Sequence, residues 1–69
     1  MLIEEHFKEA GIQFGLAAYY YKKAHDLHVA GEYEKSEFEA HIAQVHHRKA
    51  NYHNNQVASI NNFIDATTL

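Results

Sequence analysis

The stretch HVAGEYEKSEF, residues 28–38, contains the clearest interruption in a chain that otherwise has helical character. Gly31 follows a long periodic stretch, and glycine is the usual residue just past a helix C-terminus. Proline, the other strong helix breaker, is absent from all 69 residues. The sequence therefore predicts an all-α chain with one turn at residues 30–33, a helix over about residues 3–30 and a second helix over about residues 34–64. Two long helices joined by so short a turn form an antiparallel hairpin.

On both sides of the turn, apolar residues recur at helical spacing. At about 100° per residue, each predicted helix carries one narrow apolar stripe, which we assign to the contact between the helices. The first stripe contains Ile3, Phe7, Ala10, Phe14, Ala17, Tyr21, Ala24 and His28, and the second contains Phe38, Ile42, Val45, His46, Ala50, His53, Val57, Ile60 and Ile64. In the register that the turn predicts, Tyr21 faces Ile42 and Phe14 faces the small Ala50.

The first helix has a second apolar face, made of Ile12, Leu16, Tyr19, Tyr20 and Leu27. A hairpin alone would leave this face in water, and a helix that is apolar on two faces is normally buried on both. Gly11 and Gly15 also have the four-residue spacing that lets another helix approach closely. We therefore expect a homodimer that forms a four-helix bundle. The alternative is that amphipathic tyrosines simply cover the surface.

Length and composition limit how the chain can be stabilised. Residues 1–69 make a single helical-hairpin domain, near the size at which one core barely suffices for folding. The chain has no cysteine, so disulfides cannot add stability, and partner chains are the expected source of further burial. The segment MLIEEHFKEAG carries two glutamates where a secretory signal would carry basic residues, and no apolar run approaches the roughly 18 residues of a membrane span. We expect a soluble cytoplasmic protein that does not use a membrane.

Charge and histidine content bear on the class of partner. Six basic residues against nine acidic ones give a formal charge of −3, which argues against charge-driven binding of nucleic acid. Seven histidines would shift that charge to +4 if all were protonated. Of these, His46 and His53 fall on the predicted contact stripe, where burial favours the neutral ring. They are either pH-sensitive packing residues or partly buried histidines with no switching role.

Metal binding is the alternative hypothesis for so many histidines. Two ligands on one helix reach the same ion only when they are three or four residues apart. His46 and His53 are about 10 Å apart along a helix and cannot share an ion within it. The better-spaced candidates, all near the turn, are His25, His28, Glu37 and His41. The chain has no cysteine nucleophile, and two helices offer little concavity for a catalytic base, so we expect no enzyme activity and no cofactor.

The segment AAYYYKKAHDLHVAGEYEKSEFEAHIAQVHH, residues 17–47, resembles a single tetratricopeptide repeat. The residues that carry the likeness are Tyr20, Ala24 and Leu27, GEYEKS at 31–36, and Ala43. In such repeats two helices form an antiparallel pair and arrays of them bind peptides, so the resemblance implies protein binding. The chain departs from the pattern at Lys23, where an apolar residue is usual, and at Ser36, where a small alanine is usual. No proline closes the unit near residue 48, and no second copy follows.

These features predict a small non-catalytic protein–protein interaction module, such as an adaptor, inhibitor or assembly factor. It would act through the second apolar face of the first helix, by self-association and by contact with another protein. Tyrosines suit this role because they bury a large area at modest entropic cost.

Overall fold

In a computed structural model of the chain, two helices make up the fold: α1 (Ile3–Val29) and α2 (Tyr33–Thr68). The structure describes the backbone of residues 2–68 and the side chains of residues 2–60, so the predicted contact of Ile64 lies outside the described side chains. The helices pack against each other along a hairpin of 56 × 15 × 14 Å. This confirms the predicted all-α helical hairpin, with α2 continuing beyond the expected end near residue 64.

Gly31 ends α1 and reverses the chain. Its φ of 83° lies in the left-handed region, where a side chain costs about 1–2 kcal/mol. The N–H of Glu32 donates to the carbonyl of Leu27 at 2.9 Å, and the N–H of Gly31 donates to the carbonyl of His28 at 3.0 Å. These two bonds form a Schellman motif, which satisfies carbonyls that the end of a helix leaves free. The turn between the helices therefore needs only residues 30–32.

The contact between the helices is made of small side chains. The residues that line it recur every seven positions, and they are Ala10, Ala17 and Ala24 on α1 and Ser36, Ala43, Ala50 and Val57 on α2, all buried. A seven-residue repeat keeps one stripe of each helix against the other along their whole contact. Methyl-sized side chains also let the two helix axes come closer than large ones would. We call these seven residues the alanine seam.

The large side chains that the sequence placed in this contact lie outside it. Phe7 and Phe38 are 57% and 65% exposed, and Phe14 and Tyr21 are exposed as well. The ring of Phe14 packs edge-on against His47, at a centroid distance of 6.0 Å. The predicted stripe was therefore wrong for its phenylalanine and tyrosine members and for Val45, which is 37% exposed, and its register was off by about one helical turn. The physical reason is that large side chains do not fit at the seam positions, where alanines set the separation of the helices.

Two polar contacts join the helices near the turn. The buried hydroxyl of Ser36 donates to the carbonyl of Ala24 at 2.7 Å. Lys23 Nζ lies 3.3 Å from Glu39 Oε1, which belongs to a mostly buried carboxylate. Ser36 thus takes an alanine's place in the seam and adds a hydrogen bond, which holds the start of α2 against the end of α1.

The hairpin leaves an unusually large surface for its mass. Within the described residues, no large side chain is fully buried. The accessible surface is 5150 Å², against about 4,450 Å² for a compact monomer of 8.0 kDa. The radius of gyration is 16.2 Å, against about 11 Å for a compact domain of this length. The excess surface is therefore roughly 700 Å².

Enlarging one residue of the alanine seam should destabilise the hairpin. Ala17→Leu is expected to lower the free energy of unfolding by about 1–3 kcal/mol, because the larger side chain must enter a contact that fits a methyl group. The matched control is the exposed neighbour Ala18, where Ala18→Leu should change the free energy by less than about 0.5 kcal/mol. Urea unfolding followed by circular dichroism, at one protein concentration, measures both. Equal effects of the two substitutions would contradict the seam.

Candidate functional site

A second column of side chains runs beside the alanine seam. Its members are polar or aromatic, also recur every seven residues, and are buried or half-buried: His6, Gln13 and Tyr20 on α1 and Glu39, His46 and His53 on α2. We call them the histidine column. Each helix therefore presents to the other one column of small side chains and one column of hydrogen-bonding side chains.

His6 and His53 form a direct pair in the histidine column. Their Nδ1 atoms are 3.0 Å apart, and their ring centroids are 5.2 Å apart. His6 is buried at 7% exposure, whereas His53 is half-buried. At this distance one Nδ1–H must donate to the lone pair of the other Nδ1. The pair therefore holds one hydrogen between two rings and joins the start of α1 to α2.

His46 is held differently, by an amide and an aromatic ring. Its Nδ1 lies 2.6 Å from Gln13 Oε1, so the imidazole donates and the amide oxygen accepts. The ring of Tyr20 stacks on His46, with centroids 5.6 Å apart and planes 9° from parallel. One hydrogen bond and one aromatic stack therefore hold His46 in the contact between the helices.

The structure thus places both predicted seam histidines between the helices, and it adds His6, which sequence reasoning missed. A signal for His6 was present, because it lies seven residues before Gln13 and fourteen before Tyr20. The other two histidines of α2, His41 and His47, lie outside the histidine column. His47 packs edge-on against Phe14 and Tyr21, and His41 is exposed on the outside of α2.

The four residues of the metal-binding alternative do not come together. His28 packs against the ring of Tyr33 at a centroid distance of 4.9 Å, while His25, Glu37 and His41 are exposed. Among the side chains of residues 2–60, no three histidine, aspartate or glutamate groups lie where they could hold one metal ion. A single copy of the hairpin therefore offers no support for this set of ligands.

His25 has a different partner, the neighbouring Asp26. Its Nδ1 lies 3.2 Å from Asp26 Oδ1, and Lys22 Nζ lies 3.5 Å from Asp26 Oδ2. The hydrogen bond from His25 is the largest cause of the lowered pKa of Asp26, and the positive charge of Lys22 lowers that pKa further. All three groups are exposed, so water screens the cluster and it has little consequence for stability.

One side of the hairpin carries a continuous set of large apolar side chains from both helices. They are Ile12, Leu16 and Tyr19 on α1 and Phe38, Ile42, Val45 and Tyr52 on α2, and we call them the apolar band. Six of the seven are 36–65% exposed, and Ile42 is half-buried. Lys23 lines one surface depression with Tyr19 and another with Phe38, so the two helices contribute to the same side. Sequence reasoning found only the α1 half of this surface.

Two residues of the predicted α1 face belong to the helix contact instead. Tyr20 is half-buried and stacks on His46 of α2. Leu27 is half-buried and lines a depression together with Phe38 and Glu39 of α2. Of the five residues of that face, Ile12, Leu16 and Tyr19 are exposed, and its use for binding stays a prediction.

The opposite side of the hairpin is apolar on α1 only. Phe7, Phe14 and Tyr21 form an exposed aromatic column on that helix. The adjoining surface of α2 is polar, with Gln44, His47 and Arg48 lining a depression beside Tyr21. On this side only α1 contributes large apolar side chains, whereas both helices contribute to the apolar band.

Comparison with known proteins places this chain in no established group. No family model matches it, and neither a curated protein nor a solved structure matches it significantly. The resemblance of residues 17–47 to a tetratricopeptide repeat stays a prediction. In the part of the chain that the structure describes, neither helix has a stretch both long and apolar enough to cross a membrane.

Removing the pair of His6 and His53 should destabilise the hairpin. His53→Leu is expected to lower the free energy of unfolding by about 1–3 kcal/mol, because it leaves the ring nitrogen of the buried His6 without its hydrogen-bond partner.

Urea unfolding of the wild type and the variant at one pH measures this effect. The exposed His41 serves as the control, and His41→Gln should change the free energy of unfolding by less than about 0.5 kcal/mol. Equal effects of the two substitutions would show that the pair of His6 and His53 does not stabilise the hairpin.

Proposed function

We propose that this chain is a small non-catalytic protein–protein interaction module, acting as an adaptor, inhibitor or assembly factor, and that it associates with itself. The observation that supports this most directly is the apolar band. A hairpin that buries almost only small side chains leaves seven large ones together on one side. Exposed apolar patches of this kind are typical of interaction sites.

The composition of the core gives a reason for association. Burying one alanine methyl group contributes about 0.8 kcal/mol, whereas ordering one residue of backbone costs about 1–2 kcal/mol. The alanine seam buries only methyl groups, one hydroxyl and one valine. Small domains with so little core are commonly stabilised by further chains, and this one has no cysteine for a disulfide.

The area of the apolar band is sufficient for a contact with another protein. An aromatic side chain buries about 150–250 Å², so three aromatic members that are about 60% exposed contribute roughly 350 Å². The four aliphatic members add to this area. Tyrosine and phenylalanine at its ends resemble the anchors that carry much of the binding energy in protein interfaces.

The chemistry-bearing side chains favour a structural role over a catalytic one. His6 and His53 bind each other, and His46 binds Gln13 and Tyr20, so their rings are engaged in the helix contact. The net charge of −3 does not favour a nucleic acid as the partner. Absence of cysteine suits a reducing compartment, and we place the protein in the cytoplasm.

A charge in the apolar band should disrupt self-association. We expect the wild-type chain to sediment at twice the monomer mass of 8.0 kDa and Leu16→Asp to sediment as a monomer, because a carboxylate there would be buried without a partner. The matched control is Ala18→Asp, which introduces the same charge at an exposed position two residues away.

Analytical ultracentrifugation of the three chains at equal concentration measures this. The proposed self-association is refuted if the wild type is a monomer throughout, or if Leu16→Asp leaves both mass and thermal stability unchanged. If Ala18→Asp loses the dimer and Leu16→Asp keeps it, association would be assigned to the other side of the hairpin.

A further inference from the structure

The structure assigns self-association to one side of the hairpin. We infer that a second copy packs face to face across the apolar band, with Leu16 and Val45 near the centre of the contact, and completes a four-helix bundle. This inference rests on the proposed function and specifies which surface is used and what covers it.

The two helices contribute to the apolar band alternately. The register is set by the contacts of His6 with His53 and of Ala24 with Ser36. In that register the members follow one another from the turn outward as Phe38, Tyr19, Ile42, Leu16, Val45, Ile12 and Tyr52. The band spans about 21 Å along α2, because Phe38 and Tyr52 are fourteen residues apart at about 1.5 Å each. A surface shared by both helices in this way matches a partner of the same width, such as another hairpin.

The excess surface of the hairpin has the size of one dimer interface. A stable protein–protein contact buries about 800 Å² per partner, close to the roughly 700 Å² by which this chain exceeds a compact monomer. One face-to-face contact would therefore give each chain the surface expected for a compact protein of its mass. A second copy is always present with the first, and no other occupant is required to account for the area.

Charged side chains border the apolar band at the end near the turn. Lys23 and Lys35 lie there, where they pair with Glu39 and Glu32 at 3.3 and 3.1 Å. One further charged residue, Lys49, lies within the span of the band, between Val45 and Tyr52 on α2. An apolar centre with a charged, solvated rim is the usual anatomy of a protein interface, and the end near the turn follows it.

The opposite side of the hairpin is less suited to a second copy. There α2 presents Gln44, Arg48 and Asn51, and packing a copy onto them would remove their polar groups from water. The aromatic column of Phe7, Phe14 and Tyr21 belongs to α1 alone. Association through that side would leave the larger apolar surface, the apolar band, exposed.

Disulfide cross-linking tests the inference, since the natural chain contains no cysteine. Val45→Cys places a thiol near the centre of the proposed contact, and Gln44→Cys places one on the opposite side of the same helix. Under mild oxidation we expect about tenfold more covalent dimer from Val45→Cys, because the contact holds its two thiols at high effective concentration. Each reduced variant is first sedimented to verify that it keeps the mass of the wild-type chain.

The outcomes separate this inference from the proposed function. A dimeric wild type in which Gln44→Cys cross-links and Val45→Cys does not would overturn the choice of side, while self-association would stand. A monomeric wild type would overturn both. If Val45→Cys does not fold, Phe38→Cys and Tyr52→Cys replace it. In a mixture of these two variants, Phe38→Cys cross-links to Tyr52→Cys if the turns of the two copies lie at opposite ends of the dimer. Each variant cross-links to its own kind if the two turns lie at the same end. Absence of both products contradicts the face-to-face contact.

Discussion

The packing of small side chains against small side chains, repeated every seven residues, is the contact on which the rest of this structure depends. Because Ala17 and Ala43 fit only when the helices are close, no large side chain can take their positions in the seam. The large apolar side chains must therefore lie on the two sides of the hairpin. The apolar band, the aromatic column and the histidine column are all consequences of this one contact, since their residues lie at helix positions that the seam residues do not occupy.

The fold could be predicted from the sequence because its determinants are local. Gly31 adopts the left-handed conformation that its position after a long helical stretch indicated, and the absence of proline allowed both helices to run unbroken. The rotation of the helices could not be predicted in the same way. Apolar periodicity alone favours Phe14 over Ala17 as a contact residue, because phenylalanine is more apolar. Helix packing depends on the size and shape of side chains as well as on apolarity. Apolarity alone likewise assigned Tyr20 and Leu27 to the far face, whereas both are half-buried in the structure.

The candidate site was predictable only where it follows from one helix alone. Ile12, Leu16 and Tyr19 were found because they share a face of α1, but Phe38, Val45 and Tyr52 could be joined to them only after the register was known. His53 was expected in the helix contact, yet its partner His6 is 47 residues away in sequence. Local spacing carries no information about such a pair, although the seven-residue repeat places both rings in one column.

These features connect folding with association. An alanine seam gives precise contact but little apolar burial, and the remaining apolar surface lies where a second hairpin would cover it. If folding and pairing are coupled, the thermal unfolding midpoint must depend on protein concentration, by mass action. Calorimetry between about 1 and about 100 µM would measure this dependence. We predict a midpoint that rises steadily with concentration, whereas a constant midpoint together with a monomeric mass would contradict the account.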